Sequence, residues 1–421
     1  MSFGITTRNG VSLGLGATPS LAKVPPYATL RLNFAQANAL DSILTFTRAS
    51  SQTYFDSTGT LQTATTNVAA FDYDPTTLVP LGLSLWEART NNFTQSGALD
   101  NAAWVDNGTS RPGGNVTDPA GGSAGVNVLA NGAASSHFIS GGGGAAAATA
   151  TSIFVKAGTQ SLVQLAVGGT AVPYVNYDLV NKTATPFGTG TTAAIQALPN
   201  GWFRISMVTT DALSTGLRLY FITSTAAARG ESSSLSTNLY LYGAQQEAGA
   251  FATPYIATTA AAATRAAPVC STTNLGWYTQ NIGTWVVAAR SAIVSSGANQ
   301  MMARTSDNSY NNQIAVSLSS TGFAALSTAS GGVFDGLATA VAAITANTSF
   351  KAAGAFAAND LALSFNSAAV VTDSALTAPA SQTVFNVGSD HAGANHYNGW
   401  IASLTYYPLR LPNATLQALS T

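Results

Sequence analysis

The polar residues best suited to chemistry in this 421-residue chain fall in two short stretches. One, GSDHAGANHYNG, runs from Gly388 to Gly399 and gathers Asp390, His391, Asn395, His396 and Tyr397, including two of the chain's three histidines. The other, RTSDNSYNNQ, carries Asp307, Asn308, Tyr310 and Asn311. Carboxylate and amide side chains exchange hydrogen bonds with sugar hydroxyls, and a tyrosine ring offers a flat face to the apolar side of a pyranose. That chemistry suits a lectin. A metal site would draw on Asp390, His391 and His396, but their spacing fits no zinc pattern and neither cysteine nor glutamate joins them. The expected site is therefore a glycan site built from Asp307, Asn308, Tyr310, Asn311, Asp390, His391, Asn395 and Tyr397, without metal or cofactor.

Catalytic groups are scarce. Asp72 and Asp74 in AFDYDPTT stand at i and i+2, so on a strand their carboxyls share one face about 6.8 Å apart, within the range that glycosidase pairs use. The Asp-Pro-Thr-Thr run is equally strong turn chemistry. Glu87 and Arg89 in WEART also share a face and read as a partly buried structural pair. Glu87, Glu231 and Glu247 are the only glutamates, which leaves few general acids. The chain has no nucleophile elbow, phosphate loop, zinc spacing or dinucleotide fingerprint. A binding protein is expected rather than an enzyme. Among the tryptophans, Trp202, Trp285 and Trp400 sit on apolar strand faces and Trp86 falls in the GLSLWEARTNN string, so Trp104 and Trp277 remain as candidate sugar platforms.

Composition narrows the partners. Charged residues are 8% of the chain, against roughly 25% in ordinary soluble proteins, and 16 basic residues face 17 acidic ones. Nucleic acid and anionic membranes need a basic patch, so neither is an expected partner. The 46% hydrophobic content, with 18 Phe, 14 Tyr and 6 Trp, is ample for buried cores. Cys270 stands alone, so no intrachain disulfide holds the fold, as suits assembly in a reducing cytoplasm. The first twenty residues lack the pattern of a secretory signal, and no apolar run reaches the ~18 residues of a membrane span.

Period-2 alternation dominates the chain. Phe203, Ile205 and Met207 share one face of GWFRISMVTT, Leu217, Leu219 and Phe221 one face of GLRLYFIT, and Leu239 and Leu241 one face of NLYLYG. Trp285, Val287 and Ala289 line one face of TWVVAARSAI, and Trp400, Ala402, Leu404 and Tyr406 one face of GWIASLTYYPL. Short strands between Gly, Asn and Pro turns predict an all-β protein of two antiparallel β-sandwiches, of jelly-roll and concanavalin-A-like type. The predicted partition is an extended N-terminal anchor or oligomerisation arm over 1–40, a first sandwich module over 41–257, a small-residue linker over 258–270 and a second sandwich over 271–421. Asn413 is the expected N-cap of a short final helix.

Two longer strings carry a resemblance. TFTRASSQTYFDSTGTLQTATTNVAAFDYDPTTLVPLGLSLWEARTNN, from Thr45 to Asn92, and LYLYGAQQEAGAFATPYI, from Leu239 to Ile256, resemble the segments that open and close a lectin-like β-sandwich module of tailed-bacteriophage head fibres and spikes. The ending GWIASLTYYPLRLPNATLQALS resembles the last strand and helix of a concanavalin-A-like or laminin-G-like domain. The resemblance implies a virion-surface structural protein that binds host polysaccharide, attaches to other virion proteins through its N-terminal arm and forms a homo-oligomer, commonly a trimer. A tail fibre for receptor binding and a polysaccharide depolymerase are the alternatives it leaves open.

Overall fold

The computed structural model describes residues 27–144, 148–168, 173–210 and 216–421. Among them every strand pair is antiparallel, and four large sheets form two β-sandwiches. The all-β class expected from the alternation is the one observed. Each alternating face named above enters a core, with one exception described below: Phe203, Ile205, Met207, Leu217, Leu219, Phe221, Leu239 and Leu241 meet in one, and Trp285, Val287 and Ala289 in the other.

The first core lies between two six-stranded sheets whose strands run from Trp104–Asn107 to Asn238–Ala248. The second lies between an eight-stranded and a seven-stranded sheet. At its centre Trp285 stacks on Phe385 with ring centroids 5.0 Å apart, while Trp277 meets Trp285, Phe385 and Tyr406 edge-on. Such offset and edge-to-face pairs add about 1 kcal/mol each beyond the area they bury.

The second sandwich is discontinuous in sequence, which differs from the predicted partition. Leu30–Asn33 pairs with Gly399–Tyr407, as does Pro80–Leu85, and Phe71–Tyr73 extends the same sheet. Thr45–Thr47 pairs with Val269–Thr272 in the opposite sheet. Much of the string from Thr45 to Asn92 therefore completes the C-terminal sandwich, and the first sandwich is an insertion between its strands. Neighbourhood in sequence favoured the simpler division; pairing with partners hundreds of residues away overrides it. The segment 258–270 is also not a free linker. Ala263–Arg265 pairs with Arg89–Asn91 as a two-stranded neck, Arg265 is buried, and Cys270 lies in the second core. Of the expected N-terminal arm, Leu30–Asn33 is a sheet strand and residues 1–26 lie outside the described residues. The final helix spans Asn413–Leu419, with Pro412 rather than Asn413 at its N-cap. The Asn413 side chain instead accepts a hydrogen bond from Arg410.

The neck is where the chain leaves the second sandwich for the first and returns. Asn91 is fully buried there, donating to the carbonyls of Ala244 and Ile256 and accepting from the N–H groups of Phe93 and Gln246. Arg265 donates to the Glu87 carbonyl at 2.8 Å and to Thr253 Oγ1 at 2.9 Å. Glu247, also buried, accepts from Gln245 and from both the N–H and the hydroxyl of Thr253. The Glu87 and Arg89 side chains pair at 2.5 Å, the structural pair read from the sequence. Asn398 accepts from the Glu87 N–H and donates to its carboxylate, tying the neck to the second sandwich.

Breaking such a buried polar network leaves desolvated groups without partners, at about 3–5 kcal/mol. Arg265→Ala is therefore expected to lower unfolding stability in urea by that amount. A loss below ~1 kcal/mol would show that the neck does not hold the two sandwiches together.

Candidate functional site

Both polar stretches singled out in the sequence lie in the second sandwich, and the fold brings them together. RTSDNSYNNQ forms the turn between the paired strands Gln300–Ser306 and Gln313–Leu318. GSDHAGANHYNG leads from Val384–Val387, which also pairs with Gln300–Ser306, into Gly399–Tyr407. Sharing a strand partner places the loops side by side. Tyr310 Oη donates to Asp390 Oδ2 at 2.6 Å, and the Tyr310 and His391 rings meet edge-to-face at 4.5 Å.

The two aspartates hold the loops together, Asp390 from a buried position and Asp307 from a partly exposed one. Asp390 accepts from Tyr310, from Asn395 Nδ2 and from the N–H groups of Ala392 and Ala394. Burial pushes its carboxyl up, but the hydrogen bonds from Tyr310, Ala394, Asn395 and Ala392 outweigh it and hold the group below the usual carboxylate range. Asp307 closes its own turn by accepting from the N–H and hydroxyl of Ser309 and from Asn312 Nδ2. Asn308 occupies the left-handed region at φ 66°, a conformation asparagine tolerates at turns.

The outer surface of the cluster is thus the half-exposed Tyr310 ring, the flank of His391 and the exposed Asn308 and Asn311, with Asn395 partly exposed. Tyr397 does not belong to this surface. It is fully buried in the second core, so its expected role as a sugar platform is corrected. Arg304, passed over in the sequence reading, lies behind Tyr310 with its guanidinium 5.5 Å from the ring centroid, held by Gln313, Ser306 and the Ser309 carbonyl. It opens the RTSDNSYNNQ string, and its position two residues before Ser306 on a core strand was the available signal. Burial first, and the neighbouring Arg304 second, push the His391 imidazole below its ordinary value, so a neutral ring stands beside Tyr310 at pH 7.

A second concave region, of about 920 Å³, lies between the sandwiches. Asp72 and Asp74 both border it, but not as an acid and base. Asp72 is buried with both oxygens occupied: Oδ1 accepts from the N–H groups of Phe55 and Tyr73, Oδ2 from Trp400 Nε1 and more distantly from Ser84. Asp74 lies beyond the end of the strand Phe71–Tyr73, paired with Arg290 at 2.9 Å and capping the N–H groups of Thr76 and Thr77. These bonds tie both carboxylates into the surrounding fold.

Trp400 is the exception to the face assignments. Its strand carries an extra residue, Ala402, opposite the step from Ala288 to Ala289. Such a bulge exchanges the faces of the strand, so Leu404 and Tyr406 share the core with Ile401 while Trp400 turns outward to the cleft. Trp104 and Trp277, the expected platforms, are buried instead.

No family model and no curated protein matches this chain. Among solved structures, it is similar to a Ruminococcus gnavus IT-sialidase CBM40 bound to α2,3-sialyllactose, at 16% identity over 34% of this chain and 84% of that one, with a TM-score of 0.31. Domain 4 of AbnA, an arabinanase from Geobacillus stearothermophilus, is 10% identical over 41% of this chain and 82% of its own, with a TM-score of 0.30. Mouse laminin α1 domains LG4-5 are 14% identical over 63% and 84%, with a TM-score of 0.27.

Desolvation raises the Asp72 carboxyl to about 6 in spite of its hydrogen bonds. Because the folded value stands above the unfolded value of about 3.9, the folded state binds the proton preferentially between those limits. Stability from this group therefore rises as pH falls through 6 and levels off below about 4, by about 3 kcal/mol at most. Thermal unfolding of wild type and Asp72→Asn between pH 4 and 7.5 reads this directly: the variant is expected to lose that rise. Parallel profiles would refute the assignment.

Proposed function

We propose that this protein is a non-enzymatic, glycan-binding structural component of a tailed-bacteriophage particle, a head fibre or spike displayed on the virion surface. The observation that carries the glycan reading is the bond between Tyr310 and Asp390. It joins two loops far apart in sequence into one surface where an aromatic ring stands among amide side chains. A pyranose stacks its apolar face on such a ring while its hydroxyls bond to Asn308, Asn311 and Asn395. Asp390 and Arg304 fix the ring from behind, which lowers the ordering cost of binding.

The virion reading rests on the resemblance of the strings at Thr45–Asn92 and Leu239–Ile256, with the charge-poor composition and the paired sandwiches in support. Attachment to capsid proteins through the N-terminal arm is part of the proposal, as is a homo-oligomer, in the simplest case a trimer. The strand Val333–Ala343 at the margin of the seven-stranded sheet supports self-association, since it exposes Val333, Phe334, Leu337 and Val341. A depolymerase is disfavoured because the oxygens of Asp72 are all engaged.

Two measurements test the proposal. On an array of bacterial surface glycans, Tyr310→Ala is expected to weaken the bound signal about tenfold or more, since stacking on an aromatic side chain contributes about 1–3 kcal/mol by alanine substitution. Unchanged binding would remove the loops from the site. Immunogold labelling with an antibody to residues 271–421 is expected to mark particle heads. Label at the tail tip would make the protein a receptor-binding fibre, and unlabelled particles would overturn the virion role.

A further inference from the structure

The cleft between the sandwiches has no role in the preceding proposal, yet it is built as a binding site. Its volume of about 920 Å³ lies near the upper end of the range for ligand pockets, with room for more than one sugar ring. One wall is the outermost strand of a sheet in the first sandwich, Thr192–Ala197. The opposite wall comes from the second sandwich, with Arg290, Asn347 and Trp400. The floor is the hairpin of Gln52–Phe55 and Leu61–Ala64, together with Phe154, Arg204 and Tyr255.

Charge is unevenly spent there. In a chain with so few ionised groups, Arg204, Arg290 and Lys182 all border this one cleft, while both of its carboxylates are engaged. Asp74 is paired with Arg290, and Asp72 is enclosed by its four donors. Among the described residues Arg204 has only neutral hydrogen-bond partners, Ser152 Oγ and the Thr253 carbonyl, and it rests over the Phe154 ring with the Glu247 charge in its surroundings. Its Nε, like that of Arg290, is buried with no hydrogen-bond partner among the described residues. Arg204, Arg290 and Lys182 outnumber Asp72 and Asp74 in the lining, and such an excess of cationic groups is complementary to an anion. The remaining lining divides between aliphatic side chains, such as Leu81, Ile195 and Ile293, and hydroxyls, amides and aromatic rings, including Thr77, Gln196, Asn347 and Tyr73. That lining matches sugar hydroxyls and ring faces.

We propose that the cleft between the sandwiches is a second binding site, specific for an acidic oligosaccharide whose carboxylate is met by Arg204 and Arg290. It is separate from the loop surface around Tyr310, and neither site depends on the other. The cleft forms only when the two sandwiches are joined, so the full chain is the binding unit.

Titration calorimetry on the full chain tests this with oligogalacturonate and sialic-acid oligomers, neutral galacto-oligosaccharide and an oligoglutamate peptide as probes. Binding of at least one acidic saccharide, about tenfold or more above the neutral one and weakened by salt, is expected. Arg204→Gln is expected to abolish it. Because Arg204 also supports the fold, two surface variants accompany it. Ala194→Trp, on the exposed face of the wall strand, fills the cleft and is expected to weaken binding about tenfold, and Lys182→Glu about threefold. Tyr310→Ala is expected to leave this binding unchanged, which separates it from the loop surface. The proposal is overturned if no acidic saccharide binds, if the neutral one binds equally, if Ala194→Trp has no effect, or if oligoglutamate binds more tightly than every saccharide.

Discussion

The neck formed by Arg89–Asn91 and Ala263–Arg265 is the constraint on which the rest of this structure depends. Inserting one sandwich into another requires the chain to leave and re-enter at neighbouring points. Here the two passages are paired to each other and fixed by buried side chains. Asn91 satisfies backbone groups on both sides of the crossing, and Arg265 donates to the outgoing strand while contacting the Thr253 hydroxyl that Glu247 also holds. Buried charge is expensive without partners, so these bonds favour the geometry in which the two passages meet. Stability at the neck thereby becomes orientation between the sandwiches.

The hairpin of Gln52–Phe55 and Leu61–Ala64 extends that orientation outward from the neck. Leu61 packs in a small cluster with Phe154, Leu198, Trp202 and Tyr255 of the first sandwich, with Phe55 alongside. Toward the second sandwich, Gln52 donates to Ser84 and the Phe55 N–H donates to Asp72. Thr76, donating to the Ala197 carbonyl, adds a direct link between the two bodies. The cleft is the space this wedge leaves open. Its shape is set by the same contacts that hold the sandwiches apart.

The loop cluster follows a different logic. Its aspartates are consumed by turn hydrogen bonds, and only because they are consumed does Tyr310 stand in one place. Asp390 and Asp307 were legible as important from their type and company, but not as scaffolding. An aspartate that accepts four hydrogen bonds and one that faces a ligand look alike in a string. Tyr397 shows the same limit, because a tyrosine two residues before a core strand can turn inward or outward, and packing decides which.

Sequence by itself determined the all-β class, the separate alternating faces and the absence of a disulfide, because period-2 patterning and cysteine count are local properties. It also drew attention to both polar loops, whose density of Asp, Asn and Tyr needs no partner to be seen. Only the tertiary structure decided which strands share a sheet, since Leu30–Asn33 and Thr45–Thr47 find their partners more than two hundred residues away. It alone turned Trp400 outward, through a one-residue bulge at Ala402 that no periodicity encodes. The cleft was likewise invisible: its walls come from both sandwiches, and a cavity between two bodies exists only once long-range packing has set their distance.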